Sequence, residues 1–61
     1  MNFRDLRKSV GMTQQELAKA LNVKQTTISK WEQGKSSPTV NKIKIIACAL
    51  RISEADILDC F

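Results

Sequence analysis

Apolar residues recur along this chain at the three- and four-residue spacing of α-helices, and no stretch alternates in the way of a β-strand. Phe3, Leu6 and Val10 follow this spacing, and all of the residues between them are charged or polar. Such a pattern predicts an amphipathic helix near the start of the chain. Gly11 comes next, and glycine commonly ends a helix in the left-handed conformation. The first helix is therefore expected to end there.

Two further helices follow, each with recognisable start or stop signals. Thr13 and Glu16 have the spacing of a capping box, so the second helix is expected to begin at Gln14. Asn22 tolerates a positive φ and predicts a tight turn. A third helix is expected to end at Gly34. The apolar residues predicted to face the core along this segment are Leu17, Ala18, Leu21, Val23, Ile28 and Trp31.

The remainder of the chain predicts two more helices. Residues 36–38 form a loop, Thr39 is the expected N-cap of a fourth helix, and Ser53 with Asp56 suggests a short fifth helix. Lys42 and Lys44 are expected to point away from the core. The inner face of the fourth helix is predicted from Val40, Ile43, Ile46, Ala47 and Leu50. The sequence thus predicts an all-α fold of five helices in a single domain over residues 1–61.

Composition narrows the functions that such a chain can perform. A walled substrate cleft would take most of the core of 61 residues, and there is no His, no Tyr and no Gly-rich phosphate loop, so an enzyme is not expected. A net charge of +4 favours an anionic partner. The chain lacks an apolar run of about 18 residues and a signal peptide, so we expect a cytoplasmic protein without a membrane span.

The two cysteines do not have the spacing of a metal site or of a disulfide framework. Cys48 lies in an apolar helical segment, where we expect a buried thiol, and we expect both Cys48 and Cys60 to be reduced. No metal or other cofactor is expected.

The second and third helices have the lengths of a DNA-binding helix-turn-helix, over residues of about 14–33. The string TQQELAKALNVKQTTISKWEQGK resembles this motif in the lambdoid phage repressor and Cro family, also called the Xre family. Looser similarity in LRKSVGMT and SSPTVNKIKIIACALRISEADIL extends the resemblance over nearly the whole chain. It implies a compact five-helix fold in which residues of about 24–33 form the recognition helix.

The resemblance also implies roles for individual side chains. The leading end of the third helix, KQTT, is polar and short enough to meet base edges in a major groove. The positions implied to read bases are Gln25, Thr26, Ser29 and Lys30, and those implied to contact the DNA backbone are Gln14, Lys24, Gln33 and Lys35. The alternative for these residues is an ordinary solvated polar face.

Lys24 departs from the family pattern, because Ser or Thr often stands at this N-cap and a lysine forfeits a cap worth about 1 kcal/mol. We expect it to contact a phosphate or a guanine, and the alternative is a tolerated surface lysine. Arg7 and Glu32 are implied to form a buried or half-buried ion pair that ties the first helix to the end of the third, with a structural role.

Family members pair two-fold, so that two recognition helices enter successive major grooves about 34 Å apart. We therefore expect a homodimer on a palindromic DNA operator. The apolar tail, Ile57, Leu58 and Phe61, is the expected contact, although Leu58 could equally belong to the core and Phe61 could be a frayed terminus. Together these features predict a sequence-specific transcriptional regulator, with repression as the expected effect. The alternative is an antitoxin-type module that binds a protein partner as well as DNA.

Overall fold

Five α-helices make up the regular structure of the chain in the computed structural model, which describes residues 2–61. They are α1 (Phe3–Ser9), α2 (Gln14–Leu21), α3 (Gln25–Glu32), α4 (Val40–Leu50) and α5 (Glu54–Leu58). No strand occurs within residues 2–61, and the predicted all-α class and helix number are confirmed. None of the helices in this described part has the length and apolar character that a membrane span needs.

Local side-chain hydrogen bonds explain where most of the helices begin. In α2, the Thr13 hydroxyl accepts from the Glu16 backbone N–H at 3.0 Å, and the Glu16 carboxylate accepts from the Thr13 N–H at 2.9 Å. This is the predicted capping box. Asn2, Thr39 and Ser53 cap α1, α4 and α5 through one such bond each. Every helix start except that of α3 therefore has a side-chain cap within residues 2–61.

Residues in the left-handed conformation end four of the helices. Gly34 follows α3 with a φ of 75°, and its N–H donates to the Trp31 carbonyl while the Lys35 N–H donates to the Lys30 carbonyl. These two bonds define a Schellman motif. The same turn occurs at Gly11 and at Asn22, as predicted. Arg51 ends α4 with a φ of 57° although its side chain makes this conformation unfavourable by about 1–2 kcal/mol.

The inner faces of all five helices meet in one hydrophobic core. Leu17, Ile28, Ile46 and Ile57 are completely buried, and Ala18 is 4% exposed. Trp31 packs edge-on against Phe3, with ring centroids 5.8 Å apart. The remaining buried apolar residues are Leu6, Leu21, Ile43 and Leu50. Through Ile28 and Trp31, one side of α3 thus packs in the core, and the opposite side of this helix is exposed to solvent.

Three predictions for α4 were wrong. Val40 is 69% exposed because it is the first residue of the helix and the core begins one turn later at Ile43. Lys42 does not point away: it is half-buried, and its Nζ lies 3.5 Å from the Leu21 carbonyl at the end of α2. Cys48 is exposed, because at 3.6 residues per turn it lies about 150° around the helix from the buried stripe.

The apolar tail divides between the core and the surface. Ile57 is completely buried, so its side chain has no exposed surface with which to contact a second copy of the chain. The prediction that Ile57 belongs to a dimer contact is therefore corrected. Leu58 is 55% exposed and does not belong to the core. Phe61 is 41% exposed, but its ring centroid lies 5.3 Å from that of Phe3 and 6.5 Å from that of Trp31. The terminal ring is therefore packed on the core and not frayed.

Candidate nucleic-acid interface

The corner between α2 and α3 is held by its own backbone. Asn22 adopts a φ of 57°, and the Val23 N–H donates to the Ala18 carbonyl at 2.9 Å. α3 then begins at Gln25, two residues after Val23, whose half-buried side chain packs against the core. These features fix the angle at which α3 leaves the turn.

The polar residues of α3 lie on the side opposite to its core contacts. Gln25, Thr26 and Lys30 are exposed, and Ser29 is half-buried. At 100° per residue their mean direction is about 160° from that of Ile28 and Trp31. The structure therefore brings all four residues predicted to read bases onto one outward face.

Lys24 precedes this face without stabilising the helix. Its backbone is extended and its exposed side chain makes no cap hydrogen bond. At the other end of α3, Gln33 donates from Nε2 to the Ser29 hydroxyl at 3.0 Å. Lys35 is exposed beyond the Gly34 turn. Three of the four residues predicted to contact the DNA backbone, Lys24, Gln33 and Lys35, thus stand at the two ends of α3, and the fourth, Gln14, begins α2. Ser29 is joined to one of them, Gln33.

Arg7 and Glu32 lie in direct contact beneath this surface. The distance from Arg7 Nε to Glu32 Oε2 is 2.7 Å, and the two side chains are only 9% and 6% exposed. Arg7 also donates from Nη1 to the Met12 carbonyl at 2.6 Å. It thereby connects α1, the turn before α2 and the end of α3.

Two glutamines extend this ion pair to the leading end of α3. Gln14 Nε2 donates to Glu32 Oε1 at 3.1 Å, and Gln25 Nε2 lies 3.5 Å from Gln14 Oε1, a weak hydrogen bond. We call these four residues, Arg7, Glu32, Gln14 and Gln25, the polar relay. Its ion pair was expected from the resemblance, whereas its extension through Gln14 and Gln25 was not predicted from the sequence. At 3.5 Å the last contact holds the side chain at the first position of α3 only weakly.

An open depression of about 390 Å³ lies where α1, α2 and α3 meet. Its lining combines three members of the polar relay with residues of α1 and α3, and consists of Arg4, Arg7, Gln14, Ser29, Glu32 and Gln33. All six side chains are polar or charged. Within residues 2–61 no group of three or more His, Cys, Asp or Glu side chains could hold a metal ion.

Comparison with known proteins agrees with this geometry. A family model described as helix-turn-helix matches residues 3–57, which include all five helices. The chain belongs to the Xre-like helix-turn-helix family. No solved structure gave a significant match.

Two relatives of this helix-turn-helix chain are regulators of transcription by name. It is 42% identical over 45 residues to the HTH-type transcriptional activator BcrR of Enterococcus faecalis, a match that covers 74% of this chain and 22% of the relative. It is 38% identical over 52 residues to the HTH-type transcriptional regulator DicA of Escherichia coli, a match that covers 85% of this chain and 38% of the relative. The matched region is therefore less than half of either relative.

Of the eight residues predicted to contact DNA, three line the depression and five do not. Gln14, Ser29 and Gln33 line the depression, whereas Lys24 and Lys35 stand outside it at the two ends of α3. Arg4 also lines the depression and was not among the predicted residues. Its only signal in the sequence is a positive charge on α1, which does not distinguish it from Lys8.

Proposed function

We propose that this chain binds double-stranded DNA sequence-specifically and serves as a DNA-binding module in the regulation of transcription. The observation that carries this proposal is the outward face of α3, where Gln25, Thr26 and Lys30 are exposed while Ile28 and Trp31 hold the helix on the core. A helix held in this way can enter a major groove and keep its packing. The net charge of +4 favours the same partner.

Two kinds of DNA contact are proposed for this surface. Gln25 can pair with adenine N6 and N7, and Lys30 can donate to guanine O6 and N7, while Thr26 and Ser29 suit smaller base-edge contacts. The residues proposed to contact phosphates and so to carry affinity without sequence preference are Gln14, Lys24, Gln33 and Lys35. For Gln14, the polar relay adds a second role, because its side chain also supports Gln25.

We further propose that two copies bind a palindromic operator as a homodimer. A single module of this kind buries little DNA surface, and two-fold pairing doubles it. Leu58 and the outer edge of Phe61 supply the exposed apolar surface for this contact. Ile57 takes no part in it.

For the direction of regulation we propose repression. A dimer that covers a promoter excludes polymerase by occupancy alone and requires no additional contact. One relative carries the name of an activator, so a promoter-reporter assay with the selected operator is the relevant test. Expression that rises when the protein is supplied would replace repression by activation and leave the DNA-binding proposal intact.

Selection of bound sites from random duplex DNA tests the proposed function as a whole. At a fixed salt concentration of about 100 mM, we expect enrichment of one sequence with two-fold symmetry, whose half-sites lie one helical turn apart. A protein carrying Gln25→Ala, Thr26→Ala and Lys30→Ala is the matched control, since it keeps the core and lacks three of the side chains proposed to reach bases. If the wild type enriches no sequence over this control, sequence-specific binding is excluded.

A further inference from the structure

The depression between α1, α2 and α3 adjoins the proposed DNA surface, because Gln14, Ser29 and Gln33 belong to both. Its lining includes the ion pair of Arg7 and Glu32, whose Nε and Oε2 atoms lie 2.7 Å apart. The Glu32 carboxylate also accepts from Gln14. Its charge is therefore compensated within the protein.

Arg4 is the remaining charged residue in the lining. It is exposed, and within residues 2–61 it forms neither a side-chain hydrogen bond nor an ion pair. Since the charges of Arg7 and Glu32 cancel, the depression carries one uncompensated positive charge. A site with this charge favours a single anionic group.

Each of the other side chains of the lining already makes at least one hydrogen bond within the protein. Gln14 uses its amide for Glu32 and Gln25, and the Ser29 hydroxyl accepts from Gln33. The guanidinium of Arg4, in contrast, donates no hydrogen bond to any of residues 2–61. A planar guanidinium binds two oxygens of a phosphate at once. Arg4 is thus the group in this depression best equipped to bind a phosphate.

We propose that Arg4 binds one phosphate of the DNA backbone in this depression, in each half-site of the bound duplex. This inference rests on the proposed function and adds α1 to the DNA-contacting surface. The contact fixes the position of the module on the DNA and does not read bases. It also places the bound phosphate beside the polar relay that supports Gln25.

The test compares Arg4→Ala with Lys44→Ala on the selected duplex at several salt concentrations. Lys44 is exposed on α4 and does not line the depression, so its removal changes the net charge equally. For Arg4→Ala, the slope of the logarithm of the DNA association constant against the logarithm of the salt concentration should become shallower by about 0.9 per half-site. The affinity of the variant, which is below that of the wild type, should therefore approach the wild-type affinity by about 3.5-fold per half-site between 50 and 200 mM salt. For Lys44→Ala the slope should stay at the wild-type value.

A second arm identifies the phosphate. Duplexes that carry a single uncharged methylphosphonate at successive backbone positions are measured with both wild type and Arg4→Ala. We expect one position per half-site at which the substitution weakens wild-type binding and has no effect on the variant. Equal slopes for the two variants, or no position with this behaviour, would overturn the inference while leaving DNA binding established. Absence of wild-type binding to any duplex would instead overturn the proposed function, and the inference with it.

Discussion

Removal of the Glu32 carboxylate should destabilise the fold more than the removal of any exposed acidic residue. In Glu32→Ala, the buried guanidinium of Arg7 is deprived of its partner at 2.7 Å, and the Gln14 amide is deprived of its acceptor at 3.1 Å. Arg7 keeps only its hydrogen bond to the Met12 carbonyl. An uncompensated charge then remains at a site where the arginine side chain is 9% exposed.

The expected decrease in stability is about 3–5 kcal/mol, the usual cost of breaking one member of a buried ion pair. A chain of 61 residues has a total stability of about 3–9 kcal/mol, at 0.05–0.15 kcal/mol per residue. Glu32→Ala should therefore remove a large part of the free energy of unfolding. The control Glu54→Ala removes the same group from an exposed position in the first turn of α5 and should cost about 1 kcal/mol or less.

Urea denaturation followed by circular dichroism measures these changes. The double variant Arg7→Met with Glu32→Leu should regain most of the stability, because apolar side chains of similar size replace the whole pair and leave no charge unpaired. Its DNA affinity should stay below that of the wild type, since Gln14 then has no carboxylate to bond and Gln25 loses the support of the polar relay. The reasoning would be refuted if Glu32→Ala lowered the free energy of unfolding by less than about 1 kcal/mol, or if the double variant were less stable than Glu32→Ala.

Three further predictions concern the helix-turn-helix. Ala18→Leu should overpack a core position that is 4% exposed, lowering the free energy of unfolding by about 1–3 kcal/mol together with DNA affinity; an unchanged melting curve would contradict it. Lys24→Ser should supply the missing cap of α3, raising stability by about 1 kcal/mol while weakening DNA binding, and a variant that binds as tightly as wild type would remove Lys24 from the interface. Hydrogen bonds from the Thr13 N–H and hydroxyl lower the pKa of Glu16. Their contribution to stability is therefore fully present above the ordinary carboxyl pKa and is lost as the pH falls through the lowered pKa. In Glu16→Gln the free energy of unfolding should lack this dependence on pH, and a dependence identical to that of the wild type would exclude the contribution.

The helix boundaries were predictable because their causes are local. A hydroxyl at Thr13 or Thr39 reaches the N–H three residues later, and Gly11, Asn22 and Gly34 tolerate the left-handed turn that ends a helix. The apolar stripes of α2 and α3 were predictable for a similar reason, since their period is that of the helix.

The errors arose where tertiary structure decides the outcome. Lys42 reaches a carbonyl of α2 that lies 21 residues away in sequence, and the bond between Gln14 and Glu32 spans 18 residues. No local pattern encodes such contacts. Cys48 is different, because its angle from the buried stripe follows from the helical period alone: the segment around it is apolar, but position 48 falls on the outer side of α4. The left-handed Arg51 has no recognisable local signal, because arginine is not a residue that favours this conformation.

The central claim is that the outward face of α3 reads bases while the residues flanking it hold the backbone. The most direct measurement compares Gln25→Ala with Lys35→Ala on the selected operator and on a scrambled duplex, across several salt concentrations. Both residues are exposed, so both variants should fold like the wild type, which circular dichroism can verify.

Gln25→Ala should weaken binding to the operator by about 1–3 kcal/mol per half-site, leave binding to the scrambled duplex almost unchanged, and relax discrimination at one base pair. Lys35→Ala should weaken binding to both duplexes similarly and reduce the salt slope by about 0.9 for each phosphate that the lysine neutralises in the wild type. If Gln25→Ala weakens both duplexes equally, the leading end of α3 contacts only the backbone, and the claim that it reads bases is contradicted.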